Sequence, residues 1–311
     1  MSRFMSLGLA TLLVGTLSAS GVDFASRAFD CAPNQEIVVS GFQRFARLKN
    51  SDGDARVRYN PTAGALGYIY RQNNWEAGAA FSWEHGNSKL NGDGYSYKIR
   101  NDTPGVSLFG SMRLNDGWYV DGSGFVGFKT LKPRSLYTDA AGHLGRGDNQ
   151  HKTVLALGME TGRIFDLGNA FRVTPHVGLD YAYTPPENYR FRAAGAPDYG
   201  TRSQNYFEIP LGVSFSKELY CGNWTFVPNV DVTMVNSIGR MDAMNTQPGF
   251  AYWTNKGWKV GGVGGDHIGA RLSAGLDARV NDRTTFGIDY TYEGRKSYND
   301  HRLSAMFGWA F

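Results

Sequence analysis

The chain has 311 residues, with 40 Gly, 19 Phe, 17 Tyr and 7 Trp against 11 Pro, a composition that favours strands over helices or disorder. A net charge of +4, from 32 basic and 28 acidic residues, is too mild and too mixed to indicate nucleic-acid binding. Mean hydropathy is −0.37, and beyond the N-terminus no run of about 18 apolar residues offers a membrane-spanning helix, but a membrane barrel shows lipid only every second residue and averages as polar.

In chain order, Met1-Ser2-Arg3 precedes an apolar stretch from Phe4 to Leu17 and then the small residues Ser18-Ala19-Ser20-Gly21. This is the layout of an export signal, cleaved between Ala19 and Ala25, so residues 1–25 are expected to be removed and 26–35 to form a short periplasmic segment. A buried or passenger-derived segment is the alternative. Ala28-Phe29-Asp30 before Cys31 lacks the small residues that a lipidated cysteine needs.

Alternating segments follow, each bounded by turn residues. The first half places strands at 36–47, 62–71, 75–86, 103–114, 118–130 and 152–164. The second half begins at 171–184, where Phe171, Val173, Pro175, Val177, Leu179, Tyr181 and Tyr183 oppose Arg172, Thr174, His176, Gly178 and Asp180. At 204–217, Phe207, Ile209, Leu211, Val213 and Phe215 oppose Glu208, Pro210, Gly212, Ser214 and Ser216. A strand at 224–236 precedes the clearest one, at 266–280, where Ile268 to Val280 alternate without a break against Gly269, Arg271, Ser273, Gly275, Asp277 and Arg279. That run exceeds the roughly 9–11 residues needed to cross a bilayer at a tilt. Strands at 283–295 and 301–311 complete the set; in the last, Leu303, Ala305, Phe307, Trp309 and Phe311 share one face.

The connections alternate in length. Short turns at 72–74, 115–117, 165–170, 218–223 and 281–282 interleave with longer ones near 48–61, 87–102, 131–151, 185–203, 237–265 and 296–300. Short turns on one side and long loops on the other is the asymmetry of an outer-membrane barrel, with the short side periplasmic. Trp75, Trp118, Phe171, Trp224 and Trp309 gather near the short turns, as a headgroup-level girdle would. A secreted β-sandwich, with these rings in its core, is the competing soluble reading.

The polar faces carry Glu76, Glu84, Arg113, Asp121, Glu160, Arg172, Asp180, Glu208, Asp231, Arg271, Asp277, Arg279, Asp289, Glu293 and Arg302. Mixed signs on neighbouring strands predict cross-strand pairs that brace a wet lumen; a polar transport path would use the same residues. For chemistry, Asp52, Asp54, Asp266-His267 and Asp300-His301 lie near the barrel mouth, where an omptin-like surface protease would activate water. Adjacent strand residues point to opposite faces, however, so Asp266 and His267 cannot both reach inward unless the strand has already ended; solvated loop residues are the preferred reading and a barrel-mouth hydrolase the alternative. There is no G-x-S-x-G elbow, and the histidines at 85, 143, 151, 176, 267 and 301 show no metal-ligand spacing, so neither metal nor cofactor is expected. Cys31 and Cys221 both fall on the periplasmic side, where a disulfide would persist; a bridge pinning the N-terminal tail and two separate thiols are both open.

Arg271-Leu-Ser-Ala-Gly-Leu-Asp-Ala-Arg279, Asp282-Arg-Thr-Thr-Phe-Gly-Ile-Asp-Tyr290 and Ala305-Met-Phe-Gly-Trp-Ala-Phe311, with Thr174-Pro-His-Val-Gly-Leu-Asp-Tyr181 and Val227-Pro-Asn-Val-Asp231, form an ordered set over Glu36 to Phe311. That stretch resembles the translocator β-domain of autotransporters. The resemblance implies an all-β fold, a twelve-stranded antiparallel transmembrane β-barrel of the outer membrane. It also implies insertion by the barrel-assembly machinery, with Leu303, Phe307, Trp309 and Phe311 as the recognition signal. After signal removal about 10 to 15 residues precede the first strand, too few for a lumen-spanning helix. The expectation is therefore a monomeric, non-enzymatic pore or surface-exposed scaffold with little or no passenger, surrounded by outer-membrane lipid and lipopolysaccharide.

Overall fold

The computed structural model describes residues 34–49, 56–92, 95–138, 144–146, 149–185, 188–189, 199–200, 204–240, 245–246, 268–281, 283–296 and 298–311. The period-two pattern becomes twelve long strands: β1 (Gln35–Lys49), β2 (Arg56–Gln72), β3 (Trp75–Gly92), β4 (Tyr95–Arg113), β5 (Trp118–Thr138), β6 (Gln150–Arg163), β7 (Phe171–Thr184), β8 (Gln204–Lys217), β9 (Trp224–Arg240), β10 (Ile268–Val280), β11 (Thr284–Gly294) and β12 (Tyr298–Ala310). Each pairs antiparallel with the next, and β12 returns to β1 from Glu36↔Ala310 to Leu48↔Tyr298. The Phe311 amide donates to the Gln35 carbonyl at 2.9 Å, carrying the seam to the last residue. Closure gives each of the twelve long strands a partner on both sides.

The side chains are sorted inside out. On β10, Leu272 is 48% exposed while its neighbours Arg271 and Ser273 are 5% and 8% exposed, so the oily face points away from the protein and the polar face inward. The same holds across Leu66, Phe81, Val106, Val126, Leu157, Leu211, Val232, Ile288 and Leu303, all exposed. A soluble sandwich buries such residues between its sheets; here they cover the outside of a cylinder.

The strand number and order agree with the sequence expectation, but the lengths differ on one side. Much of the chain expected as long connections at 48–61, 87–102 and 131–151 continues the ladder, so that Asn87 pairs with Arg100 and Lys89 with Lys98. Strands show in a sequence through an apolar face that alternates with a polar one; here the outward face is polar and the buried inner face mixes Tyr59, Ile99 and Leu131 with Asn101, so that signal is lost although the hydrogen bonds go on. On the long-connection side, Asn188–Tyr189, Tyr199–Gly200 and Asn245–Thr246 form a small three-stranded sheet.

The short turns are tight. Gln72 pairs with Trp75 around Asn73-Asn74, with Asn73 at φ 50°, and Cys221 pairs with Trp224 around Gly222-Asn223, with Gly222 at φ 60°. Gly and Asn tolerate this left-handed region, which a two-residue hairpin turn requires. Within the other expected turns, Phe165–Asp166 pairs with Arg172–Val173, and Leu219–Cys221 pairs with Trp224–Phe226.

The interior is not polar throughout. Val38, Ile69, Ala80 and Met306 form a buried apolar cluster, joined by Ala65 and Phe109. On β5, the Phe125 ring lies so close over Gly105 and Gly127 that a Cβ on either would stand within 3 Å of it. Part of the inner wall is therefore packed rather than wet, a feature that the charged inner faces alone do not announce.

Candidate functional site

The inner wall is the place where chemistry-bearing side chains collect, because strand parity sends every second residue there. Of the charged residues expected inside, Glu76, Glu84, Asp121, Glu160, Asp180, Glu208, Asp231, Arg271, Asp277, Asp289, Glu293 and Arg302 are buried. Arg113, Arg172 and Arg279 are half-buried near the short turns.

These side chains form separate braces. Across β8, β10 and β11, Arg271 Nη2 lies 2.9 Å from Glu293 Oε2 and 3.6 Å from Glu208 Oε2. Arg295, just past β11, completes the knot with Glu293 at 2.8 Å, with Ser237 Oγ at 2.6 Å and with Glu208. Across β5 to β9, Tyr119 donates to Glu160 at 2.9 Å, and His176 stands between Glu160 (3.5 Å) and Asp231 (2.8 Å). Ser214 donates to the same Asp231 oxygen at 2.6 Å. Serine and histidine thus both turn to the carboxylate, an arrangement that ties three strands together. Nearer the seam, Thr291 donates to Asp289 at 2.9 Å, and Arg172 reaches Glu218 at 2.7 Å beside the short turn.

Several members escape the sequence reading. Arg44 of β1 grips Asp300 of β12 through two bonds, Nε to Oδ1 at 2.8 Å and Nη2 to Oδ2 at 2.7 Å, directly across the closing seam. Arg71 pairs with Glu76 at 3.0 Å and with Glu36. Tyr59 donates to Glu84 at 2.5 Å, and Asn101 donates to both. Parity carried back across the short turn from Glu76 places Arg71 and Tyr59 inside. The mixed inner face of β1, with Val38 and Phe42 between Glu36 and Arg44, hides the pattern.

Of the mouth residues, Asp52, Asp54, Asp266 and His267 lie outside the described residues, as do the signal segment and Cys31. Asp300 is buried against Arg44, whereas His301 faces outward and meets the Tyr290 hydroxyl at 2.7 Å, so this dipeptide splits between the two faces. Cys221 is an exposed free thiol at the short-turn end. Among the described residues no group of three or more His, Cys, Asp or Glu is placed to hold a metal ion.

The terminal strand presents Leu303, Phe307, Trp309 and Phe311 outward. Trp309 lies 5.9 Å from the Phe311 ring, and Trp224, Phe286 and Phe307 continue an aromatic chain across the neighbouring strands, with centroids 6.4 and 5.3 Å apart. Trp118, Trp224 and Trp309 are exposed at this end, and Trp75 and Phe171 are partly covered. At the opposite end, beyond the last outward apolar residues Trp83, Val106 and Phe128, the outward face turns polar. There Asp102 meets His85 at 2.6 Å and Lys132 at 3.0 Å. Partial burial works against the Asp102 charge, but the hydrogen bonds from His85 and Lys132 outweigh it and hold the carboxyl below its ordinary value.

The autotransporter β-domain family model matches residues 37–291. Among solved structures, the chain is similar to the transport unit of the autotransporter AIDA-I from Escherichia coli, with TM-score 0.67 at 11% identity over 97% of each chain. It is also similar to the translocator domain of the autotransporter NalP from Neisseria meningitidis, with TM-score 0.64 at 15% identity over 91% of this chain and 90% of that one. The β domain of the Bordetella autotransporter BrkA gives TM-score 0.64 at 14% identity over 89% of this chain and all of that one. No curated protein sequence matches. At these identities the structures establish the fold, while kinship rests on the sequence match. Because that match runs from the start of β1 into β11, across most of the chain, the protein belongs to the autotransporter β-domain family.

Proposed function

We propose that this barrel sits as a monomer in the bacterial outer membrane, short turns in the periplasm, and serves as a conduit or surface scaffold of the translocator type, without bond-breaking chemistry of its own. The observation that carries the reading is the inverted burial: Leu272 lies out in the open beside buried Arg271 and Ser273. Only lipid makes that arrangement favourable. The barrel-assembly machinery would read the outward Leu303, Phe307, Trp309 and Phe311, which flank the seam.

Membrane fractionation with a heated and an unheated gel lane tests the placement. The protein is expected in the outer-membrane fraction, with the unheated barrel migrating faster; recovery as a water-soluble monomer without detergent would sink the reading. Conduction is tested separately in planar bilayers, where discrete current steps are expected from a conduit and a silent bilayer from a scaffold. An epitope fused ahead of Gln35 tests translocation: it should become accessible to external protease if the barrel exports what precedes it.

A further inference from the structure

The outward face of β1 to β4, beyond the lipid-facing residues, carries one row of exposed cations in direct cross-strand register, and the backbone ladder continues from it to Arg134 of β5. Arg47 pairs with Arg58, Arg58 with Lys89, Lys89 with Lys98 and Lys98 with Arg134. Arg134 in turn pairs with Arg146 of the short strand Leu144–Arg146. Arg47, Arg58, Lys89 and Lys98 are all exposed, and Arg100, opposite Lys132, lies one step nearer the lipid band.

Like charges placed directly opposite each other repel, and each such pair weakens an antiparallel ladder. Here the repulsion repeats across consecutive pairs, and among the described residues none of Arg47, Arg58, Lys89 or Lys98 has a carboxylate within ion-pairing distance. The nearest described acid on this face, Asp102, is already held by His85 and Lys132. Asp52, Asp54 and Asp93 of the connecting turns lie outside the described residues. Among the described side chains the far side shows no such row: outward positions near the upper ends of β7 to β12 there include Tyr181, Phe207, Ile238, Ile268, Tyr292 and His301. The patch is thus strongly basic, one-sided and relieved by a multivalent anion.

Its position selects the anion. On β1 the row begins at the outward position next after exposed Phe45, and on β3 it lies three outward positions beyond Trp83. Since strands rise about 3.4 Å per residue, it leaves the lipid edge on one strand and stands well above it on another. Loop tips reaching into solvent would suit a soluble polyanion; a row on the barrel wall, starting at the lipid boundary, suits a headgroup anchored in that lipid. We infer that the row binds the phosphate-bearing glycolipid headgroup of the outer leaflet, the chemistry of lipopolysaccharide, with its phosphates bridging cations of adjacent strands. The inference rests on the outer-membrane placement proposed above and adds a defined site to it.

The full chain, refolded in detergent and shown by heat-modifiable migration to be a barrel, is titrated with rough lipopolysaccharide bearing both lipid A phosphates, with the same lipid dephosphorylated, and with heparin. Binding at least tenfold tighter to the phosphorylated lipid is expected, weakening with added salt. The triple variant Arg58→Ser, Lys89→Ser, Lys98→Ser should lose about tenfold of it, whereas Arg58→Lys, Lys89→Arg, Lys98→Arg should retain it. Equal binding of the two lipids by the parent protein overturns the inference with no variant needed, as does an unimpaired triple variant. Tighter binding of heparin than of lipopolysaccharide also overturns it, in favour of a soluble polyanion. A chain that forms no barrel would defeat the membrane placement as well, whereas an inserted barrel indifferent to phosphate defeats this inference alone.

Discussion

Arg44 and Asp300 meet across the one junction where the end of the chain must find its beginning, and both are about 2% exposed. Removing one partner of such a pair leaves a buried charge without compensation, which costs roughly 3–5 kcal/mol. Arg44→Ala should therefore lower the temperature at which the compact gel band disappears, and a paired Arg44→Met, Asp300→Leu variant should recover much of the loss. Asp102 makes the opposite case, an ion pair at the watery rim. A carboxylate held below its usual pKa stabilises fully above the unfolded value, and that stability disappears as pH falls through the folded value. Asp102→Asn should thus cost less than about 1 kcal/mol at neutral pH, because the site is largely solvated, and nothing in acid. Melting curves of both proteins at the two pH values check this. Asp300 also shows what one residue reveals in the sequence: parity says that it and His301 part company, but not that Arg44 receives it.

Strands are where the sequence speaks most clearly. β10 is legible along all of its described length, Ile268–Val280, because every second residue is apolar. Leu272→Arg on its lipid face should cost about 2–4 kcal/mol or block insertion, measurable as lost heat-modifiable barrel. β2 to β5 are legible only where lipid touches them, and their upper reaches, where Arg58, Lys89 and Lys98 line up, read as loop. The cationic row was invisible for the same reason. Register across a hairpin depends on where the turn sits, and that follows from pairing rather than from the residues of one strand. At the last strand, deletion of Phe311 removes a backbone bond to Gln35 and the ring beside Trp309. Reduced outer-membrane levels are expected; unchanged levels would argue against this residue as part of the assembly signal.

At the scale of the whole molecule, the closed sheet makes β1 and β12 neighbours although they lie at opposite ends of the chain. The sequence by itself determined the strand count, the order, the short and long sides and the oily exterior, since each follows from local alternation and turn chemistry. It also marked which charges face inward, by parity alone. Only the tertiary structure decided which of them meet: Arg44 with Asp300, His176 with Asp231, and Arg295 with Glu208 and Glu293. It likewise decided that Val38, Ile69, Ala80 and Met306 pack together inside and that four strands align their exposed cations in one row. The physical reason is that period and polarity are properties of one segment, whereas a salt bridge, a packed cluster or a repelling row is a property of the register between segments. That register is set by closing the cylinder.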